Sequence, residues 1–222
     1  MGNSPQRRRT PPATRKRRPP GRPAADGPDL RPRVLDAALA CYARHGIAGT
    51  SLRAIASEAG VTPALLHYYF GDALRLRQAV VDERVLPAIA AFRAHLALEG
   101  EPVALATRFV DGVAALVAAH PWLPALWVRE ILCEGGALRD LLRQFVSPVP
   151  QALAAGFADA QREGRLDPGL DPRLLVVSLV GLTLFTAASA PVWRELLRAT
   201  DVDDATLRSH TLALLGHGLG VA

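Results

Sequence analysis

At 222 residues, half of them hydrophobic, the chain is long enough to bury a substantial core and too apolar for wholesale disorder. Alanine and leucine dominate while aromatics are few, a composition that favours helices over strands. The net charge of +5 is unevenly placed, with +7 on residues 1–28, +1 on residues 29–85 and −3 on residues 86–222, so the basic balance belongs to the N-terminal tail.

Residues 1–28 are Pro, Arg, Gly and Ala with almost no large apolar side chain, and they read as a disordered basic arm suited to a polyanion. Within it, Gly21-Arg22-Pro23 matches the latter part of the Arg-Gly-Arg-Pro core of minor-groove AT-hooks. Pro20 stands where the first arginine of that core belongs, so Arg22 is a candidate minor-groove residue inside an otherwise nonspecific tail. No apolar run follows the basic start, so a cytoplasmic protein is expected, with Cys41 and Cys133 as buried free thiols.

From residue 31 the character changes. Val34, Leu35, Ala38, Leu39 and Tyr42 recur at helical spacing and Gly46 is a natural stop, which predicts a helix over 31–45. Thr50-Ser51 opens the short stretch LRAIASEAG, with Leu52, Ile55 and Ala56 facing inward and Gly60 as its break. VTPALLHYYF follows, with Thr62 as cap and Pro63 in the first turn. Two short helices joined by a glycine turn make a helix-turn-helix. Ala56 is small where the helices would cross, and Val61, Leu66 and Tyr69 are expected on the apolar side.

A fourth helix is predicted over about 73–97, with a break allowed near Pro87. Further helices follow at about 102–118, 122–132, 137–163, 171–189, 191–199 and 203–218, with Pro148 and Pro150 kinking or splitting the long one. No strand-like alternation occurs. The expected fold is all-α: a three-helix DNA-binding domain over 29–85, then a second helical domain over 86–222.

In the second domain HPWLPALWVREILCEGG is the distinctive segment. Trp122, Trp127, Glu130 and Cys133 are candidate pocket residues, Arg129 is a candidate partner for an anionic ligand, and Phe109, Val113, Leu116 and His120 are expected to face the same space. Ordinary helix packing is the alternative for all of them. Residues 174–193 carry no charge, which by length alone admits a membrane span. Ser178, Thr183, Thr186, Ser189, Pro191 and the lack of a second such run stand against it. There is no HExxH, no Cys/His metal spacing, no glycine-rich phosphate loop and no GxSxG, so no catalytic residue, metal ligand or cofactor is assigned.

The stretch VLDAALACYARHGIAGTSLRAIASEAGVTPALLHYYFGDALRLRQAV carries a resemblance. YARHG closes its first helix, Thr-Ser opens the next, and I-A-x-x-A-G-V precedes a helix ending in aromatics before a glycine. In these features residues 31–85 resemble the DNA-binding domain of the tetracycline-repressor (TetR) family. The resemblance implies Thr50 and Ser51 at phosphate, Arg53 within reach of a base, and Thr62, Pro63, Ala64 and Leu65 on the groove-entering face. It places His67, Tyr68 and Tyr69 against sugar-phosphate and thymine methyls. His67 departs from the family's usual tyrosine, Leu65 from a small or hydroxyl residue, and Ala73 from a phosphate-holding lysine. The resemblance also implies that residues 86–222 are an effector-binding and dimerisation domain, with helices at about 171–189 and 203–218 forming half of an intersubunit four-helix bundle. The expected function is a ligand-responsive regulator that binds double-stranded DNA as a homodimer and is released from a palindromic operator by a small hydrophobic effector. An effector-independent architectural DNA-binding protein, a helical enzyme and a membrane-associated protein are the alternatives.

Overall fold

Caps, prolines and left-handed glycines set the helix ends in the first part of the chain. The computed structural model describes residues 30–96, 100–132, 137–138 and 145–218, all helices and connections. The basic arm with Arg22, the Cys133 position and residues 139–144 of the helix predicted over 137–163 lie outside the described residues, while residues 137–138 form a turn and not the first residues of that helix.

Helix α1 (Leu30–His45) ends at Gly46, whose φ of +75° closes the turn toward residue 50. Helix α2 (Leu52–Glu58) is capped by Ser51, whose side chain accepts from the Ala54 amide. Helix α3 (Pro63–Phe70) is capped by Thr62 with Pro63 in its first turn, where a missing N–H costs nothing. Between α2 and α3 the chain turns at Gly60 with φ +62°, and a β-carbon there would come within 2.6 Å of the Arg33 guanidinium. Asp72 caps α4 (Ala73–Val80) by accepting from the Arg75 amide at 2.8 Å.

Helix α4 runs without a stop through a π turn (Val81–Val85) into α5 (Leu86–His95). Pro87 causes the irregularity: it has no N–H to offer the Glu83 carbonyl four residues back. That carbonyl accepts from the Arg84 guanidinium at 3.1 Å instead. The expected break at Pro87 is therefore a widened turn within one continuous helical path.

Leu35, Tyr42, Ile55, Leu66, Phe70 and Leu76 form the first core, and ion pairs Arg84–Asp36 and Arg44–Glu58, each at 2.7 Å, fasten α1 to its neighbours. This core continues into Leu126 and Leu138, residues that come much later in the chain. One expectation for α3 is corrected. Phe70, at 6% exposure, is the buried ring, while Tyr69 is 41% exposed. Leu66 and Phe70 are four residues apart and share a face, so the intervening Tyr69 turns outward.

The second core joins α6 (Pro102–Ala119), α8 (Pro148–Arg162) and α9 (Pro172–Val180) through Leu105, Phe109, Leu153, Phe157, Val176 and Leu179. Between α6 and α8 lie the short α7 (Leu123–Trp127) and a second π turn (Val128–Leu132). After α9 a third π turn (Gly181–Phe185) leads to α10 (Thr186–Ala188), then α11 (Ala190–Leu196) and α12 (Asp204–Gly218), which packs along α6. The apolar run 174–193 is not one straight helix, because Pro172–Ala188 and Ala190–Leu196 meet at 74°. Helix α6 is long and apolar enough to cross a membrane, yet it lies between α5, α8 and α12.

Candidate functional site

The exposed surface of α2 and α3 is built from short polar side chains and rings. Ser51 and Thr62 each use an oxygen lone pair to accept a backbone amide, so each hydroxyl keeps its proton for an outside acceptor such as a phosphate. Thr50 differs: its half-buried hydroxyl donates to the Gly46 carbonyl at 2.6 Å, which commits its proton to the turn. Arg53, Pro63 and Ala64 are exposed and Leu65 is half-buried, so the first turn of α3 offers an apolar surface beside one guanidinium.

Tyr68 is 81% exposed and stands edge-on to Tyr69, ring centroids 5.5 Å apart. His67 is tied back, its Nδ1 at 2.6 Å from the Gly71 carbonyl. A carbonyl only accepts, so Nδ1 carries the proton and Nε2 remains as the outward atom. Beneath them, Phe70 is fixed from the other side by the Arg31 guanidinium, 4.9 Å from its ring centroid and paired with Glu83. The ring cluster is therefore divided, with Phe70 buried as the floor and both tyrosines turned to the surface.

Position 73 offers no cation, but Arg75 lies close by. Its Nη1 is 3.5 Å from where a Gly71 β-carbon would sit, so the side chain folds over the end of α3. Arg77 is half-buried on the inner side, near enough to Tyr42 to act on it electrostatically.

A second site lies between α5, α6, α7, α8 and α9: an apolar cavity of about 100 Å³. Five residues singled out from the sequence, Phe109, Val113, Leu116, Trp122 and Trp127, line it. Phe92 and Phe109 meet edge-on at 5.9 Å in its wall. His120 lines a separate cleft with Arg108 and Asp111, and Arg129 is exposed and off the cavity wall. Sequence reasoning passed over Arg93, the one charged side chain in the wall among the described residues. The signal was present: Val85, Ile89 and Arg93 are four apart, which places a charge on an apolar stripe.

Glu130 also lies off the cavity wall. It is 6% exposed and its Oε1 accepts the Ile47 amide at 2.8 Å, while Oε2 accepts the Ala137 amide at 3.0 Å. Two backbone donors thus satisfy a buried carboxylate, with Trp127 and Ile131 of the cavity wall on either side of it in the chain. In the same wall the buried indole N–H of Trp127 has no hydrogen-bond partner among the described residues. Among those residues no cluster of three or more His, Cys, Asp or Glu side chains could hold a metal.

Comparison with known proteins agrees with this layout. Residues 34–79 match the model for bacterial regulatory proteins of the tetR family, and residues 102–216 match the tetracyclin repressor-like C-terminal domain. The HTH-type transcriptional regulator SrpR of Pseudomonas putida is 26% identical over 159 residues, 72% of this chain and 74% of its own. RaaS of Mycobacterium tuberculosis, also an HTH-type transcriptional regulatory protein, is 31% identical over 141 residues, 64% of this chain and 61% of its own.

Among solved structures, the ketosteroid transcriptional regulator KstR2 of Mycobacterium tuberculosis superposes with a TM-score of 0.69 at 16% identity, covering 90% of this chain and all of that one. The regulator FadR of Bacillus subtilis, solved in complex with stearoyl-CoA, gives 0.58 at 19% identity, covering 84% and 98%. At these identities the structures speak for the fold alone. The second family model spans more than half of the chain, and these relatives are regulators, not enzymes. The protein belongs to the tetracycline-repressor family and is a DNA-binding transcriptional regulator.

Proposed function

We propose that the protein is a cytoplasmic homodimeric repressor, released from a palindromic operator when an apolar small molecule occupies the cavity between α5 and α9. One observation carries the reading: the segment that lines the cavity also holds the DNA-binding part. Trp127 and Ile131 face the cavity, and Glu130 between them grips the Ile47 amide in the turn that leads into α2. A ligand that shifts this segment acts on the helix-turn-helix through that hydrogen bond, and DNA affinity falls because the ligand prefers the shifted state. The stearoyl-CoA bound by the structurally similar FadR is consistent with an apolar effector.

In this reading Ser51 and Thr62 donate to phosphates, Arg53 reads a base edge, and Tyr68 and Tyr69 cover sugar-phosphate and thymine methyls. Arg75 takes the phosphate role that Ala73 vacates, and the arm with Arg22 adds sequence-independent grip. Dimerisation uses the outward face of α9 to α10 with α12. Leu174, Val177, Phe185 and Leu214 are exposed there, and Gly181 and Gly216 have open space where a β-carbon would be. Such an apolar face on two adjacent helices suits a self-complementary two-fold contact.

The test is titration of operator DNA bound to the full-length protein with a panel of hydrophobic compounds. Release by a compound that also quenches Trp122 or Trp127 fluorescence supports the reading. DNA binding indifferent to every compound that enters the cavity favours the architectural alternative.

A further inference from the structure

We infer that the effector is an amphipathic anion: an apolar body carrying an acidic head that is read by Arg93. This rests on the cavity being the effector site, and two independent features of its wall give the sign of the ligand.

Arg93 is exposed, lines the cavity and has no hydrogen-bond or ion-pair partner among the described residues. The remaining lining residues, from Val85 to Leu184, are all apolar. A guanidinium at the edge of an apolar chamber complements a ligand whose hydrocarbon part is buried and whose oxyanion stays near solvent. The second feature is Trp127, whose buried N–H has no acceptor. The wall is almost wholly carbon, and the lining side chains that carry polar hydrogens, Arg93 and the two indoles, can donate but not accept. A ligand with carboxylate or other acceptor oxygens fits such a wall, whereas an amine meets like charge and a shortage of acceptors.

Arg129, the cation that sequence spacing put forward for this role, is off the wall. The choice of anion thus passes to Arg93, on a helix that continues directly from α4 of the DNA-binding part. A head group drawn to Arg93 pulls on α5 itself, so the same contact that selects the ligand is placed to report it.

The experiment compares decanoate, decan-1-ol and decylamine, below their aggregation concentrations, by tryptophan fluorescence on the full chain and on Arg93→Gln. Decanoate is expected to bind about tenfold more tightly than decan-1-ol, with decylamine weakest. Arg93→Gln is expected to erase the acid's advantage and leave decan-1-ol unchanged. Equal binding of acid and alcohol, or an advantage that survives Arg93→Gln, overturns the inference while the cavity remains an effector site. Binding of none of the three overturns the inference and the effector reading together.

Discussion

Glu130 accepts the backbone N–H of Ile47 at 2.8 Å across 83 positions of chain, joining the cavity segment to the turn before the DNA-binding helices. The contact is tight on the other side as well. Gly46 has φ +75°, and a β-carbon there would lie 3.2 Å from the same carboxylate oxygen. Glu130→Gln replaces one acceptor oxygen by an NH₂ that faces a backbone donor. The expected loss is about 1–3 kcal/mol of stability. Effector affinity should stay near the parent value while DNA release needs more effector, a split that fluorescence and operator titration measure separately. Unchanged release would place the coupling elsewhere.

In the proposed DNA complex, phosphate grip divides between Arg75 and the basic arm. Arg75→Ala should reduce the slope of log affinity against log salt by about one, nearly equally on operator and random DNA. Deletion of residues 2–28 should flatten the slope further. Salt titration of binding by anisotropy reads both, and a slope untouched by either change would remove them from the interface.

Dimer formation is expected to depend on the exposed face of α9. Val177 is 64% exposed, so Val177→Glu should leave the fold intact by circular dichroism. In sedimentation it should yield monomers, with operator affinity lost along with them.

Alkaline stability should carry the imprint of Tyr42. Burial pushes its phenol up to about 12 from an ordinary value of 10. The folded state therefore favours the neutral ring, and this stabilisation is complete below pH 10 and lost as pH rises through about 12. The loss attributable to Tyr42 is about 2–3 kcal/mol. Denaturant unfolding across that window should be flatter in Tyr42→Phe, which keeps the packed ring.

Helix positions were legible in the sequence because caps, prolines and apolar spacing all act locally. Ser51, Thr62 and Asp72 cap the helices they precede. What local pattern could not supply was direction within a crowded run. Tyr69 and Phe70 are both aromatic neighbours in HYYF, and only the four-residue register with Leu66 turns Phe70 inward. The π turn before Pro87 was likewise hidden, since the sequence shows a missing donor and not how the helix absorbs it.

The cavity was half legible for a related reason. Phe109, Val113 and Leu116 lie on one helix face and could be grouped by spacing, whereas Glu130 takes its place from a partner far along the chain. Glu130 was a candidate pocket residue as part of the segment HPWLPALWVREILCEGG, yet its carboxylate serves the Ile47 amide and lies off the cavity wall.

Footprinting of the full-length protein on genomic DNA, alongside Arg53→Ala, tests the central claim most directly. The account predicts protection of paired half-sites about one helical turn apart, 34–36 Å between centres. Arg53→Ala should bind that site about 1–3 kcal/mol more weakly and with relaxed sequence preference. Protection of no duplex at low salt, or equal weakening on operator and random DNA, would contradict it.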